Sequence, residues 1–305
     1  MQALTVSGLS KRYGDLVAVH DVSFEIEVGE VFALLGPNGA GKTTTVEILE
    51  GFKQRDAGAV RVLGFDPGVR ATSRACRSHL GIVLQELAVE PFLTVRETLA
   101  RNAGYYPNPR PVEEVIELAG LSEKADARVK TLSGGQQRRL DLGLGIVGNP
   151  EFIFMDEPTT GFDPSARRSA WELVRRLSAG GTTVLLTTHY MDEAEALADR
   201  VAVMTAGRIV ASGPPQRLGG RDVGEVKIRF QLPEGRQLSE LPVPPGTETD
   251  GTIEIPTDDE VRVLHALTSW CLAEGVRLVG LEVARLTLED IYLRLTRDDL
   301  VEQRS

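Results

Sequence analysis

Gly36-Pro37-Asn38-Gly39-Ala40-Gly41-Lys42-Thr43-Thr44 is the stretch that decides the fold of this 305-residue chain. It meets every fixed position of the phosphate-binding loop pattern G-x-x-x-x-G-K-[ST]. The apolar run before it, Val31-Phe32-Ala33-Leu34-Leu35, reads as a buried parallel strand. Thr44 to Glu50 reads as a helix, with Gly51 as its C-cap. The glycines let backbone N–H groups turn inward onto phosphate oxygens, which the positive helix N-terminus also favours. Lys42 is placed to reach terminal phosphates, and the Thr43 hydroxyl to bind Mg²⁺. A plain strand–turn–helix connection is the competing reading; Lys42-Thr43 in this setting argues against it.

Working outward, Glu151-Phe152-Ile153-Phe154-Met155-Asp156-Glu157 is an apolar strand ending in two carboxylates. A carboxylate at the C-terminal end of a parallel strand faces the crevice where open α/β sheets bind ligands. Asp156 is therefore a candidate to hold Mg²⁺ through water, and Glu157 to polarise an attacking water. Thr182 to Thr188 is another strand, with His189 at its end. Asp192 to Arg200 reads as a helix whose Asp192, Glu193 and Glu195 form a solvated face near its positive end. In Leu132-Ser133-Gly134-Gly135-Gln136, Ser133 and Gln136 have capping-box spacing, so a helix starts at Ser133. Two glycines at that start expose N–H groups that could bind a second anion.

The flanks complete an α/β pattern. Val22, Phe24 and Ile26 alternate with polar residues, so residues 1–30 read as antiparallel β structure. Tyr13, in a polar glycine-containing segment, is either a packing residue or a stacking platform; on its own, packing is favoured. Val60–Gly64 and Leu80–Leu84 read as strands, and residues 94–131 as several short helices broken by prolines. Val201–Met204 and Ile209–Ser212 form a hairpin. Gly219-Gly220-Arg221-Asp222 reads as a linker. Beyond it come strands at Val226–Phe230, Ile253–Ile255 and Val276–Val279, a loop over 233–251, and helices at Glu260–Glu274 and Leu288–Leu295. His265 reads as structural.

The chain carries 34 Lys and Arg against 44 Asp and Glu, a net charge of −10. Residues 225–305 hold 9 basic and 16 acidic side chains, so −7 of that charge lies there. This balance argues against a broad nucleic-acid contact and against simple docking on an anionic membrane. No apolar run approaches the ~18 residues of a membrane span. The N-terminus lacks the features of a signal peptide. Cys76 and Cys271 match no metal or redox spacing. A cytoplasmic location is the expectation.

Together these segments resemble the ATP-binding-cassette ATPases over residues 3 to about 220. The motifs run in the family's order: the phosphate loop at 36–44, Gln85, L-S-G-G-Q at 132–136, F-I-F-M-D-E at 152–157, G-F-D-P at 161–164 and His189. The resemblance implies an α/β P-loop NTPase cassette over residues 1–220, with a helical signature subdomain and an antiparallel β subdomain. A small C-terminal α/β domain over 221–305 follows, with a regulatory or dimer-stabilising role. It implies ATP and Mg²⁺ as ligands and ATP hydrolysis as the reaction. By the same resemblance Tyr13 stacks on adenine, and Gln85 touches Mg²⁺ and the attacking water. His189 contacts the γ-phosphate, and Asp163 links two subunits across the nucleotide. Ser133, Gly134, Gly135 and Gln136 close over the nucleotide of the other chain in a head-to-tail homodimer. Gly143 and Gly145 stand where the family commonly has Ala, which implies a softer helix by up to ~1 kcal/mol each.

The segments T-T-H-Y-M-D-E-A-E-A-L-A-D-R at 187–200 and L-E-D-I-Y-L-R-L-T at 288–296 are most similar to the ATP-binding subunits of ABC-2-type exporters, the drug-resistance and antibiotic-export group. That implies a separate membrane permease and attachment to the cytoplasmic face of the membrane through it. The expected contact runs from Gln85 to Leu93, where Leu87, Val89, Pro91, Phe92 and Leu93 cluster. An importer ATPase shares every catalytic motif and stays open. A nucleic-acid or ribosome clamp lacks its basic footprint here, and a non-catalytic switch is at odds with the Glu157–His189 pair.

Overall fold

An apolar run without polar alternation needs cover on both faces, and Val31–Leu35 has it: all five residues are buried. The computed structural model describes residues 1–69, 76–83, 89–218, 226–232, 236–244, 246–249, 251–285 and 287–293. Gln85, Leu87 and the linker at 219–222 lie outside them. The chain divides into two compact units, Met1–Pro215 and Gln216–Ser305.

In the first unit, β1 (Gln2–Tyr13), β2 (Leu16–Glu27) and β4 (Ala57–Val62) form an antiparallel sheet with β1 in the middle. Between β2 and β4 the chain passes through β3 (Val31–Leu35) and α1 (Lys42–Leu49). After β5 (Leu80–Val83) come the short helices α2 (Val95–Ala103) and α3 (Val112–Leu118), then α4 (Gly134–Val147). The rest alternates: β6 (Phe152–Asp156), α5 (Pro164–Ala179), β7 (Thr183–Thr188), α6 (Met191–Leu197), β8 (Arg200–Thr205) and β9 (Arg208–Gly213).

Six of these strands form the second sheet, ordered β5-β6-β7-β3-β8-β9, parallel except for the β8–β9 hairpin. Strands β6 and β7 are buried at every residue, as the doubly covered position demands. Parallel register places Leu35, Asp156 and Thr188 at the same end of neighbouring strands, with β7 between β3 and β6. That end carries the chemistry. Helix α5 shows the opposite patterning: Ala170, Leu173, Val174 and Leu177 recur at helical spacing and are its buried stripe.

The helix expected over 192–200 stops at Leu197, and Arg200 already belongs to β8. Arg200 holds Glu30 in an ion pair at the start of β3. Gly145 does not soften α4 by accident. A Cβ there would lie 2.5 Å from Val83 Cγ2, so only glycine lets α4 pack this closely on β5. Gly143 has ordinary space, and nothing in the structure demands glycine there.

In the second unit, β10 (Val226–Gln231), β11 (Thr247–Thr249), β12 (Thr252–Thr257) and β13 (Val279–Arg285) form a sheet ordered β11-β12-β10-β13. Ile228, Phe230, Ile253 and Ile255 pack against Val263 and Leu267 of α7 (Glu260–Glu274). Two expectations shift here. The loop at 233–251 contains β11, and the last strand starts at Val279 rather than Val276. His265 is exposed on α7.

Candidate nucleotide-binding and hydrolysis site

The phosphate loop leaves β3 between two backbones. A Cβ at Gly36 would lie 2.2 Å from the Met204 carbonyl oxygen, and one at Gly41 would lie 2.3 Å from that of Ala18. Gly41 also has φ +99°, a left-handed conformation that side-chain-bearing residues rarely adopt. Both glycines are therefore fixed by space. The first turn of α1 leaves the amides of Lys42, Thr43 and Thr44 without intrahelical acceptors, an anion-binding arrangement. Lys42 is buried; its Nζ donates to the carbonyls of Gly36 at 2.8 Å and Pro37 at 3.1 Å. Burial pushes its pKa down, against the opposing pull of Glu157 and Asp156.

A cleft of about 640 Å³ runs along this loop, lined by Tyr13, Leu16, Asn38, Lys42, Thr43 and Glu157 among others. Tyr13 ends β1 and is 42% exposed, so its ring is not committed to the core. Lys11 and Lys53 place their ammonium groups 5.4 and 5.5 Å from its centre.

Strand β6 delivers the two carboxylates to the same place. The Thr43 hydroxyl donates to Asp156 Oδ2 at 3.3 Å. A hydroxyl and a carboxylate side by side are the hard oxygen donors Mg²⁺ takes, directly or through water, so Thr43 and Asp156 fit such an ion. Glu157 Oε1 stands 4.0 Å from Lys42 Nζ and 3.2 Å from His189 Nδ1, the latter without hydrogen-bond alignment. The Thr160 hydroxyl donates to Glu157 Oε2 at 3.2 Å. The Glu157 backbone has φ +48°, a strained conformation for a side-chain-bearing residue.

Two residues whose roles the sequence does not signal secure this geometry. The Thr187 hydroxyl donates to Asp156 Oδ1 and accepts the Glu157 N–H at 3.1 Å, so one side chain orients both acids. Arg138, on α4, donates to the backbone carbonyls of Asp156, Glu157 and Pro158 at 3.1, 2.9 and 3.3 Å and pairs with Asp141. Side chain-to-carbonyl bonds leave no spacing pattern, which is why Arg138 was not legible. Glu193 corrects an expectation. It is 1% exposed rather than solvated, while Asp192 does face outward and pairs with Arg167.

The remaining expected residues lie apart from the cleft. Ser133 caps α4 with the reciprocal bonds to Gln136 at 3.3 and 2.9 Å. A Cβ at Gly134 or Gly135 would meet nothing within 4 Å. Asp163 accepts the N–H groups of Ser165 and Ala166 and caps α5. Among the described residues, no hydrogen bond or ion pair joins Ser133–Gln136 or Asp163 to the phosphate loop. Gln85 is outside the described residues.

Burial also raises three carboxyl groups. Glu50, at the end of α1, is pushed up to about 8 by burial and then by Asp156. Asp141 is pushed up to about 6 by burial despite Arg138, and Glu193 is raised by burial. Each holds its proton in the folded chain at a pH where the unfolded chain has lost it. Stability therefore falls as pH rises between about 4.5 and 8. The wild-type melting temperature is expected to be lower at pH 8 than at pH 6. Glu50→Gln should flatten that slope and raise the pH 8 value. A wild-type melting temperature that climbs from pH 6 to pH 8 contradicts this.

A parallel sheet with a phosphate loop at its C-terminal edge, a buried lysine and paired strand-end carboxylates defines a P-loop nucleotide hydrolase. The chain belongs to the ABC transporter family. The family model described as "ABC transporter" matches residues 19–160, and the "ABC transporter domain-containing protein-like, C-terminal domain" model matches residues 226–287. Nod factor export ATP-binding protein I of Burkholderia pseudomallei is 39% identical over 301 residues, 96% of this chain and 97% of that protein. A daunorubicin resistance ATP-binding protein of Streptomyces coeruleorubidus is 37% identical over 308 residues, covering 97% and 96%. Among solved structures, a nucleotide-free ATP-binding cassette from an ABC transporter superposes with TM-score 0.62 at 28% identity, over 70% of this chain and 92% of that one. The chain is an ATP-binding, ATP-hydrolysing cassette of that family. No described helix is long and apolar enough to cross a membrane.

Proposed function

We propose that this chain hydrolyses Mg²⁺·ATP in a head-to-tail homodimer and so drives export through a separate permease. The observation that carries the hydrolytic reading is that Lys42, Thr43 and Glu157 line one cleft, with Asp156 bonded to Thr43 and His189 beside Glu157. Lys42 exchanges its loop carbonyls for phosphate oxygens when nucleotide enters. Thr43, and Asp156 through water, would hold Mg²⁺, which would supply charge neutralisation on the phosphates. Glu157 orients and polarises the attacking water, and His189 faces the same carboxylate from the β7 side. Ser133 and Gly134 are exposed, and a Cβ at Gly134 or Gly135 would meet nothing within 4 Å, which supports the use of this segment by a partner copy. Tyr13 offers its exposed ring to the adenine.

Export, rather than import, rests on the near full-length likeness to the two export and drug-resistance proteins. A copurification from membranes tests it: a tagged chain should bring down an integral membrane protein. Export of a labelled compound from cells that depends on both proteins supports the reading; uptake overturns it.

We propose Gln85 to Leu93 as the permease contact; of these, residues 89–93 are described. Phe92 is 63% exposed, with Lys130 Nζ 4.6 Å from its ring centre. An aromatic left open beside a short helix suits a helix-in-groove partner. Phe92→Ala should lower transport in reconstituted vesicles more than the ATPase rate of the isolated chain. Equal losses with a lowered melting temperature would remove this segment as the contact.

A further inference from the structure

The feature that the hydrolytic site does not absorb is Glu193. It lies on α6, four residues beyond His189, and is 1% exposed. Its Oε1 accepts two hydrogen bonds: from the Thr159 hydroxyl at 2.8 Å and from the Trp171 indole N–H at 3.2 Å. Thr188, on β7 next to His189, is a third polar neighbour. A buried carboxyl with a raised pKa costs stability against an apolar residue of the same size. Three polar groups aimed at one buried side chain, from three segments, point to a purpose other than stability.

Those segments are the ones that carry the reacting groups. Thr159 is 1% exposed and sits in the loop between Glu157 and Asp163. That loop is folded on itself, Thr160 N–H to the Glu157 carbonyl at 3.3 Å and Phe162 N–H to the Thr159 carbonyl at 3.0 Å, so holding Thr159 holds the whole turn. Trp171 belongs to α5, the helix that Asp163 caps. Helix α6 starts directly after His189 and Tyr190; the Arg167 guanidinium stacks 4.5 Å from the Tyr190 ring and pairs with Asp192. From the helix that follows His189, Glu193 hydrogen-bonds both the loop bearing Glu157 and Asp163 and the helix α5.

We propose that Glu193 is a positioning residue for ATP hydrolysis: by accepting the Thr159 hydrogen bond it fixes His189 and the Glu157–Asp163 loop relative to each other, whereas the Trp171 bond only joins α5 to it. Glu193 is buried and does not line the cleft, so it acts through its neighbours. It acts on the chemical step, in which sub-ångström placement of Glu157 and His189 matters, and leaves the phosphate loop untouched. This rests on the hydrolytic reading of Glu157.

Glu193→Met keeps the volume and removes the acceptor; Glu193→Gln keeps an acceptor oxygen and the shape of a protonated carboxyl. Misplacement of a catalytic group by about 1 Å can cost ~100-fold, so Glu193→Met is expected to lower kcat for ATP by about 10-fold or more. Its KM for ATP should stay within about twofold, because ground-state binding is not involved. Glu193→Gln should restore most of the rate. Thr159→Val should reproduce the loss, Trp171→Phe should not, and Thr159→Val with Glu193→Met should be no worse than Glu193→Met alone. A folded Glu193→Met chain with wild-type kcat overturns the proposal, as does a rate loss that Glu193→Gln shares or that Trp171→Phe reproduces. If Glu193→Met does not fold, Thr159→Val decides: a wild-type kcat there overturns it. Glu157→Gln in the same series separates the two readings. If Glu157→Gln stays active the hydrolytic assignment falls; if only Glu193→Met stays active, this inference alone falls.

Discussion

Replacing Glu157 with glutamine is expected to lower ATP turnover by about 10²–10⁴-fold, the range a positioned general base contributes, while nucleotide binding persists. The carboxylate is held by its neighbours rather than by chance. Thr187 takes its backbone N–H, Thr160 its Oε2, and its Oε1 lies between Lys42 and His189. Glutamine fits the same space and accepts the Thr160 bond, but it cannot take up a proton from water. Its single loss is therefore in the chemical step. Turnover by purified Glu157→Gln and binding of a fluorescent ATP analogue are the two readings; a near-normal rate would remove Glu157 from its role.

Lys42→Ala is expected to fail at the earlier step. A charge-assisted hydrogen bond contributes about 1.5–3 kcal/mol, so ATP affinity should drop by about 10- to 100-fold. Lys42 is buried against the carbonyls of Gly36 and Pro37, and phosphate oxygens are better acceptors for its charge than those carbonyls. The loop path itself is set by Gly36 and Gly41, so the variant should keep its fold. Titration calorimetry with Mg²⁺·ATP separates the outcomes. Unchanged affinity with lost turnover would mean that Lys42 acts only in the transition state.

The elements with strong local signals were legible in the sequence. The phosphate loop, the apolar strands with carboxylate or histidine ends, and the Ser133–Gln136 cap all follow from patterns within a few residues. The residues that set the site's precision were not. Thr187 and Arg138 act across 30 and 19 positions of chain, where no periodicity survives. Glu193 sat in an acidic run at a helix start, which reads as solvated; only α5 packing over it reveals the burial. Gly145 looked like a weakness in α4 because the neighbour that demands it, Val83, comes from β5. In the second unit the Val276–Val279 reading missed β13 because its outward residues, Val279, Leu281 and Val283, are apolar too. Alternation could not mark where the strand begins.

The central claim is that one chain holds half of each hydrolytic site, with Ser133–Gln136 completing the partner's. Mixing two inactive variants tests it most directly. A Lys42→Ala chain keeps its Ser133 end, and a Ser133→Arg chain keeps its phosphate loop. Each alone is expected to be inactive. In an equal mixture half of the dimers carry one of each, with one intact site, so turnover should recover to about one quarter of wild type if chains exchange freely and sites act independently. Recovery that follows the product of the two concentrations is the predicted result. Turnover that stays at the level of the separate variants across all mixing ratios would contradict the shared site.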